Sequence, residues 1–241
     1  MNGSAAAAAA FCALILVVPA RASETHGSAL VTRGWAGYVV RDWDTSFSSV
    51  AGTWTQPRVG CSRPGSAVSF WVGLGGARRT STSLEQIGTS ADCDGRASLS
   101  TSAWYELYPA PPVDIPIAIR VGDTLKASVT VAATDVLVTL EDVTTGARFA
   151  QHVAMPSPAP EADSAEWIAE APSACLSICA PLPIATFGRI RFVDARATAG
   201  EHEGLIEDDA WNAVPVKMRF ARPSRLTNGG RTFSVLRAPA D

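Results

Sequence analysis

The sequence predicts an all-β protein built as an antiparallel sandwich or barrel. Apolar residues recur with a period of two, the runs are short, and Gly and Pro separate them. Asn228-Gly229-Gly230 lies between two such runs and is a strong hairpin signal. Because short strands at regular spacing pair with their neighbours along the chain, we expect antiparallel sheets that enclose one large core.

The clearest element is a three-stranded meander in the middle of the chain. Alternation runs through Thr124–Val131 and Val136–Leu140, and a third run, Ala147–Val153, follows a turn around Gly146. Further strands are predicted at Gly37–Val40, Ala67–Leu74, Ser100–Tyr108, Ile115–Val121, Gly188–Ala197, Val214–Ala221 and Arg231–Arg237.

Two acidic segments have less regular patterns. Glu161–Glu170 is rich in Ala and Glu, so propensity alone permits a helix, but we predict a strand there. Glu201–Asn212 is predicted to be a helical turn or an irregular loop.

The N-terminal segment resembles an export signal. An alanine run and FCALILVV lead to Ala20-Arg21-Ala22, which fits cleavage before Ser23. This apolar run is shorter than the about 20 residues that a membrane span needs. We therefore expect residues 1–22 to be a signal peptide. Residues 23–241 would form one secreted domain, extracellular or periplasmic, with no membrane attachment after the signal is removed.

The charge distribution argues against a nucleic-acid partner. The formal net charge is −3, and acidic residues are concentrated between positions 161 and 209. The segment from Lys217 to Arg237 is locally basic, which is typical of solvated strand faces and loops. Neither segment forms the concentrated basic surface that nucleic acid requires.

The cysteines predict disulfides. Cys12 lies in the signal, and Cys61, Cys93, Cys175 and Cys179 form an even set in an exported chain. Four cysteines allow three pairings, of which sequence order favours Cys61–Cys93 and Cys175–Cys179. The alternative is a four-thiolate zinc site, but no C-x-x-C pair is present and export argues against it.

Most hydrolytic chemistries lack their residues in this sequence. The histidines His26, His152 and His202 lie near no G-x-S-x-G turn and in no H-E-x-x-H motif, and neither D-T-G nor D-S-G occurs. Carboxylate and amide side chains remain as candidates for the catalytic groups. Glu170 lies in AEWIAEAPS beside apolar residues, a setting that can tune a carboxyl group for general-base work. A glutamate on a half-exposed strand is the commoner structural explanation.

Several motifs together resemble one family. SFWVGLGG (69–76), LEQIGT (84–89), AWYELYP (103–109) and AEWIAE (165–170) occur in the order seen in the glutamic peptidases, also called eqolisins. WAGYVV (35–40), FSSVAGTWTQP (47–57) and ATFGRIRFVDA (185–195) are similar to the same family. These matches extend over most of the chain that follows the signal.

The resemblance implies an acid-acting endopeptidase on a lectin-like (concanavalin A-like) β-sandwich of two antiparallel sheets. Its catalytic pair would be Gln86 of LEQIGT and Glu170 of WIAE. Trp71, Trp104 and Glu106 match residues of the family's substrate cleft. Such a site uses no cofactor and no metal, its partners are protein or peptide substrates, and we expect a monomer. Strand alternation would point the side chain of Glu85 to the face opposite that of Gln86.

The sequence departs from the family pattern at three cleft positions. Fungal members have aspartates where this chain has Gly75, Ser90 and Ser102. Losing carboxylates near Glu170 weakens the repulsion between like charges. We therefore predict a less extremely acidic pH optimum and altered side-chain preference, with Gln86 and Glu170 retained.

Two other functions fit the same predicted fold. A carbohydrate-binding module would use exposed tryptophans such as Trp43 or Trp211, since a sandwich does not fix function. A catalytically dead descendant would bind peptides without cleaving them. Both readings leave the retention of Gln86 and Glu170 in full motif context unexplained.

Overall fold

Two large β-sheets form the protein, as the predicted class requires. The computed structural model describes residues 29–42, 44–175 and 179–238, and within these ranges there is no helix and hence none that could cross a membrane. The predicted signal peptide, residues 1–22, lies outside the described part of the chain.

Each large sheet has eight strands. The first sheet contains β1 (Leu30–Val31), β2 (Trp35–Arg41), β4 (Ala67–Leu74), β5 (Leu84–Cys93), β6 (Leu99–Tyr108), β7 (Val113–Ile115), β11 (Ser164–Glu170) and β16 (Asn212–Lys217). The second contains β3 (Phe47–Thr55), β8 (Thr124–Val131), β9 (Asp135–Asp142), β10 (Ala147–Ala154), β14 (Arg189–Ala199), β15 (His202–Leu205), β17 (Ala221–Pro223) and β18 (Phe233–Arg237). A small hairpin pairs β12 (Ser173–Cys175) with β13 (Cys179–Pro181).

The spatial order of the strands differs from their order along the chain. The first sheet runs β1-β16-β2-β11-β4-β5-β6-β7, and the second runs β10-β9-β8-β3-β14-β18-β17 with β15 beside β14. Neighbouring strands are antiparallel except for β1 and β16. In the first sheet, β4 pairs with β5 on one side and with β11 on the other. Residues 84–93 and 164–170, which are distant in sequence, are therefore brought close together.

The main core lies between the two sheets. On β4, Phe70, Val72 and Leu74 are fully buried, and β4 packs against β3 and β8 of the second sheet. Trp167 of β11 reaches across the core, and its indole N–H donates a hydrogen bond to the carbonyl of Ala51 at 2.8 Å. Burial of each large apolar side chain stabilises the fold by about 1.5–3 kcal/mol. This core fixes the positions of β4, β5 and β11 relative to each other.

The opposite face of the first sheet, hereafter the outer face, carries a second apolar cluster. Val39, Trp71, Trp104, Ile168 and Val216 form it. Because side chains alternate along a strand, these residues share their face with Gln86, Glu106 and Glu170.

Two strand predictions were wrong in extent. Of the predicted strand Ile115–Val121, only Ile115 lies in a strand, at the end of β7. Pro116 has no N–H to donate to a neighbouring strand, so the pairing ends there. The run Val214–Ala221 is divided by a turn at Met218–Ala221, where the chain passes from the first sheet to the second. The alternation of apolar residues continues through that turn, so the turn could not be predicted from the sequence.

The two acidic segments differ in outcome. Glu161–Glu170 contains β11, so the strand prediction is confirmed. The prediction for Glu201–Asn212 was wrong in part, because His202–Leu205 forms β15 against β14 before a turn. The predicted hairpin at Asn228-Gly229-Gly230 is confirmed, with all three residues at positive φ between β17 and β18.

The disulfide between Cys61 and Cys93 is confirmed. It excludes the four-thiolate zinc alternative, because two of the four thiols are bonded to each other. Cys179 is also disulfide-bonded, and its backbone pairs with that of Cys175. The side chain of Cys175 lies outside the described residues, so the second pairing stays a prediction.

Candidate active site

The candidate site consists of three successive rows of side chains on the outer face. In the first row, Gln86 on β5 lies opposite Glu106 on β6. In the second, Trp71 on β4 and Trp104 on β6 flank Gly88. A Cβ atom at position 88 would lie 2.2 Å from the carbonyl oxygen of Phe70 and 2.5 Å from the Cβ of Trp71, so the glycine permits the close approach of β4 and β5 here. The third row contains Glu170 on β11, which pairs with Ser69 on β4; Ser90 and Ser102 continue it.

Glu170 is held by tryptophans. The indole N–H of Trp71 donates to Glu170 Oε2 at 2.7 Å. Trp35 packs edge-on against Trp71 with ring centroids 5.0 Å apart, and its indole also favours the ionised carboxylate. Burial nevertheless raises the pKa of Glu170 to about 7, and the charge of Glu106 acts in the same direction. A carboxyl group with this pKa can both take and return a proton near neutrality.

Gln86 is held by Glu106. Gln86 Nε2 donates to Glu106 Oε2 at 2.6 Å, and only 5% of the glutamine is exposed. Burial raises the pKa of Glu106, and the hydrogen bond from Gln86 acts in the opposite direction. The amide therefore has one end fixed, and its carbonyl oxygen is buried with no hydrogen-bond donor in reach among the described residues.

The three departures from the family pattern have different surroundings. Ser90 Oγ lies 2.8 Å from Ser69 Oγ, so two hydroxyl groups bond to each other next to Glu170. Ser102 is the cross-strand partner of Ser90 and extends this polar strip. Gly75 has a φ of 83°, a conformation that glycine adopts without cost and that a side chain at this position would disfavour.

Two further glutamates are buried close to the site. Glu85 points to the core, as alternation predicted: it is 0% exposed, and neither carboxyl oxygen has a hydrogen-bond partner among the described residues. Burial raises the pKa of Glu85 to about 8. Burial also raises the pKa of Glu166 well above its usual range, and nearby Asp163 and Glu85 add to that shift. Both groups are therefore protonated in the folded protein at acidic pH.

The structure brings all five sequence-predicted site residues onto one face of one sheet. Trp71 bonds to Glu170, Glu106 bonds to Gln86, and Trp104 is 9% exposed with no acceptor for its indole N–H among the described residues. The position of Trp35 beside Glu170 is not evident from the sequence. It lies in the motif WAGYVV, but only the pairing of β2 with β11 places it opposite Glu170.

Of the two tryptophans proposed for carbohydrate binding, the structure describes only Trp211, which is not available as a binding platform. Trp211 is 7% exposed, packs against Phe47, and donates its indole N–H to the carbonyl of Leu205 at 3.0 Å. Trp43 lies outside the described residues. Trp211 is therefore a structural residue.

Replacing Trp71 with phenylalanine should shift the titration of Glu170. The variant keeps an aromatic ring but loses a hydrogen bond to the carboxylate, which is typically worth about 1.5–3 kcal/mol. We expect the pKa of Glu170 to rise further and kcat/KM on the acidic side of the optimum to fall about ten-fold. The measurement is the pH dependence of kcat/KM. Trp104→Phe is the matched control, since the indole N–H of Trp104 has no protein acceptor in the described chain. Equal profiles for both variants would contradict this role of Trp71.

Comparisons with known proteins agree with the resemblance found in the sequence. The Peptidase A4 family matches residues 33–228. Scytalido-glutamic peptidase, solved with a peptide-based transition state analog, superposes with a TM-score of 0.72 at 26% identity, covering 86% of this chain and 98% of that one. Aspergilloglutamic peptidase from Aspergillus niger gives 0.59 at 26% identity, covering 71% and 99%.

A further solved structure supports the fold alone. SCP-B, a member of the eqolisin family solved with the tripeptide Ala-Ile-His, gives a TM-score of 0.69 at 24% identity and covers 86% of this chain and 98% of that one. No curated protein matches the sequence.

Proposed function

Because the chain belongs to the Peptidase A4 family, the glutamic peptidases or eqolisins, and is an endopeptidase, we propose that Glu170 and Gln86 are its catalytic pair. The observation that carries this proposal is the arrangement on the outer face. A carboxyl group with a pKa of about 7 and a fixed carboxamide flank the same indole, that of Trp71.

Glu170 acts as the general base and then as the general acid. The ionised carboxylate takes a proton from a water molecule, which attacks the carbonyl carbon of the scissile peptide bond. The carboxyl group formed in this way returns the proton to the leaving amine as the C–N bond breaks. Trp71 holds the carboxylate in place through its 2.7 Å hydrogen bond during both steps.

Gln86 stabilises the tetrahedral intermediate. An amide does not titrate, so its N–H groups remain donors at every working pH. An N–H donor directed at the developing oxyanion is typically worth about 3 kcal/mol, or two to three orders of magnitude in rate. The hydrogen bond to Glu106 holds the amide at this position of the outer face before the substrate binds.

The remaining residues of the outer face bind the substrate. Trp71 and Trp104 provide an apolar floor, and Glu106 borders it. The hydroxyl pair of Ser69 and Ser90 replaces a carboxylate site beside Glu170. We expect this end of the cleft to accept neutral side chains of a peptide substrate in preference to basic ones.

The protein is exported and acts as a single domain. The composition of residues 1–22 supports a signal peptide, and one core draws on strands from β2 to β18, which supports one domain within residues 23–241. We infer that the mature protein is a monomer in the extracellular or periplasmic space, without attachment to the membrane.

Cleavage of an unfolded protein by the purified enzyme, from strongly acidic to neutral pH, tests the proposal. We expect weak cleavage at strongly acidic pH and a maximum near pH 7, since Glu170, whose pKa is about 7, must be ionised to act as the base. Cleavage should resist both pepstatin and a metal chelator, because the proposed chemistry uses only Glu170, Gln86 and water. Inhibition by pepstatin would indicate an aspartate pair, and inhibition by the chelator would indicate a metal. Either result would contradict the proposed site.

A further inference from the structure

The carboxamide of Gln86 has a single side-chain partner among the described residues. Gln86 and Glu106 are direct cross-strand neighbours, and the 2.6 Å hydrogen bond joins Gln86 Nε2 to Glu106 Oε2. The residue on the other side of Gln86 in the same row is Gly73, which has no side chain. Glu106 therefore decides how the amide is oriented.

The two ends of a carboxamide differ in chemistry but hardly in size. An ionised carboxylate only accepts hydrogen bonds, so ionised Glu106 must face the NH₂ end of Gln86. A protonated carboxyl group has an O–H and can donate to the amide oxygen instead. A half-turn of the amide exchanges the two ends within nearly the same volume, and it would place Nε2 where the unpartnered Oε1 now lies.

Resting on the proposed function, we propose that Glu106 is a positioning residue whose own protonation sets which end of the Gln86 carboxamide faces the substrate. With Glu106 protonated, the amide oxygen accepts from the Glu106 O–H, and both N–H groups are directed to the developing oxyanion. With Glu106 ionised, one N–H is held by the carboxylate, and the amide oxygen faces the developing negative charge and repels it.

The groups that face Glu106 are themselves acidic. β11 contributes Glu170 and, in the same row as Gln86, Glu166; β7 contributes Asp114 beside Trp104. From β5 and β4 the facing side chains are Gln86 and Trp71, which do not titrate. Burial raises the pKa of Glu106, and the charge of Glu106 raises that of Glu170. Because the charge of Glu106 disfavours a charge on Glu170, the two carboxyl groups titrate as a coupled pair, and the singly protonated form of the pair can hold its proton on either group.

The active form has this proton on Glu106 and none on Glu170. The pH dependence of kcat/KM is then bell-shaped: the rate rises as the pair loses its first proton and falls as it loses its second. The alkaline fall is due to Glu106, because loss of its proton turns the amide away from the productive orientation.

The test compares the pH profiles of kcat/KM for wild type, Glu106→Gln and Glu106→Ala. Glutamine stays neutral and can donate to the amide oxygen of Gln86 at every pH. We expect Glu106→Gln to keep at least a tenth of the wild-type maximum and to lose the alkaline fall, with a plateau above about pH 7, where Glu170 is ionised. Glu106→Ala leaves the amide unheld and should lose about 10- to 100-fold at all pH values.

Asp92→Asn is the matched control. Asp92 lies on the same face of β5 as Gln86, and burial raises its pKa too, but it pairs with Ser100 at the far end of the strand. Its profile should keep the wild-type bell shape. Each variant is checked by circular dichroism at each pH, and initial rates are measured before any unfolding.

A bell-shaped profile for Glu106→Gln, or equal losses in Glu106→Gln and Glu106→Ala, would overturn the inference while leaving the catalytic pair intact. An inactive wild type, or full activity in Glu170→Gln, would overturn the proposed function and this inference together.

Discussion

Replacing Glu170 with glutamine should lower kcat about 1,000-fold and leave KM nearly unchanged. The carboxamide occupies the same volume and its oxygen can accept the hydrogen bond from Trp71, so the floor of the cleft is preserved. The variant cannot take a proton from water, and general-base catalysis typically contributes 10²- to 10⁴-fold. Steady-state cleavage of a peptide substrate near the wild-type optimum gives both constants.

Glu141→Gln is a suitable control for this substitution. Glu141 lies on β9 of the second sheet, where it pairs with Arg148 at 2.7 Å, so the same chemical change is made far from the cleft. We expect its kcat to equal that of wild type. A loss of similar size in both variants would mean that the effect at position 170 is not catalytic.

Stability should fall as the pH rises from about 4.5 to 8, and Glu85→Gln should remove a large part of this fall. In the unfolded chain Glu85 ionises near its ordinary pKa of 4.5, whereas burial keeps it protonated in the fold up to about pH 8. Between these values the folded state binds more protons than the unfolded state, so the free energy of unfolding decreases with pH. The pKa shift corresponds to roughly 3–5 kcal/mol between the two ends of this range.

Urea unfolding at about pH 5 and pH 8 measures this effect. At the lower pH, Glu85 in the folded wild type is neutral like the glutamine of Glu85→Gln, and the two free energies of unfolding should differ by no more than about 1 kcal/mol. At the higher pH, the free energy of unfolding of Glu85→Gln should exceed that of wild type by several kcal/mol. Glu166 contributes in the same direction, so the variant keeps some slope. Parallel pH dependences for wild type and Glu85→Gln would show that position 85 is not a buried neutral carboxyl group.

Activity and stability therefore make opposite demands. Glu170 must lose its proton to act as the base, while Glu85 and Glu166 must keep theirs for the fold to remain stable. With a pKa of about 7 for Glu170 and about 8 for Glu85, both conditions hold near neutral pH. This agrees with the expectation, drawn from Gly75, Ser90 and Ser102, of an optimum that is less extremely acidic.

The fold could be predicted where alternation decides it. The meander of β8, β9 and β10 follows directly from residues 124–153, because one face of each strand is apolar. Pairings across long separations could not be predicted, since β11 lies between β2 and β4 only because the sandwich closes there. The passage from β16 to β17 was missed for a similar reason: the turn at Met218 interrupts no apolar pattern.

The site could be predicted as a set of residues but not as a set of contacts. Motif resemblance selected Gln86 and Glu170 as the candidate catalytic pair, and alternation predicted the orientation of Glu85. The hydrogen bonds from Trp71 to Glu170 and from Gln86 to Glu106 depend on strand register. That register is fixed by the core packing of β4, β5 and β11, which no local pattern reveals.

The most direct test of the catalytic pair is a double-mutant cycle on kcat with Glu170→Gln, Gln86→Ala and the double variant, each shown to be folded. If both side chains act on one transition state, the double variant should be slower than Glu170→Gln by much less than the 10²- to 10³-fold loss expected for Gln86→Ala alone. Losses that multiply in full would mean that the two side chains act independently. Activity that survives in Glu170→Gln would place the general base elsewhere and contradict the account.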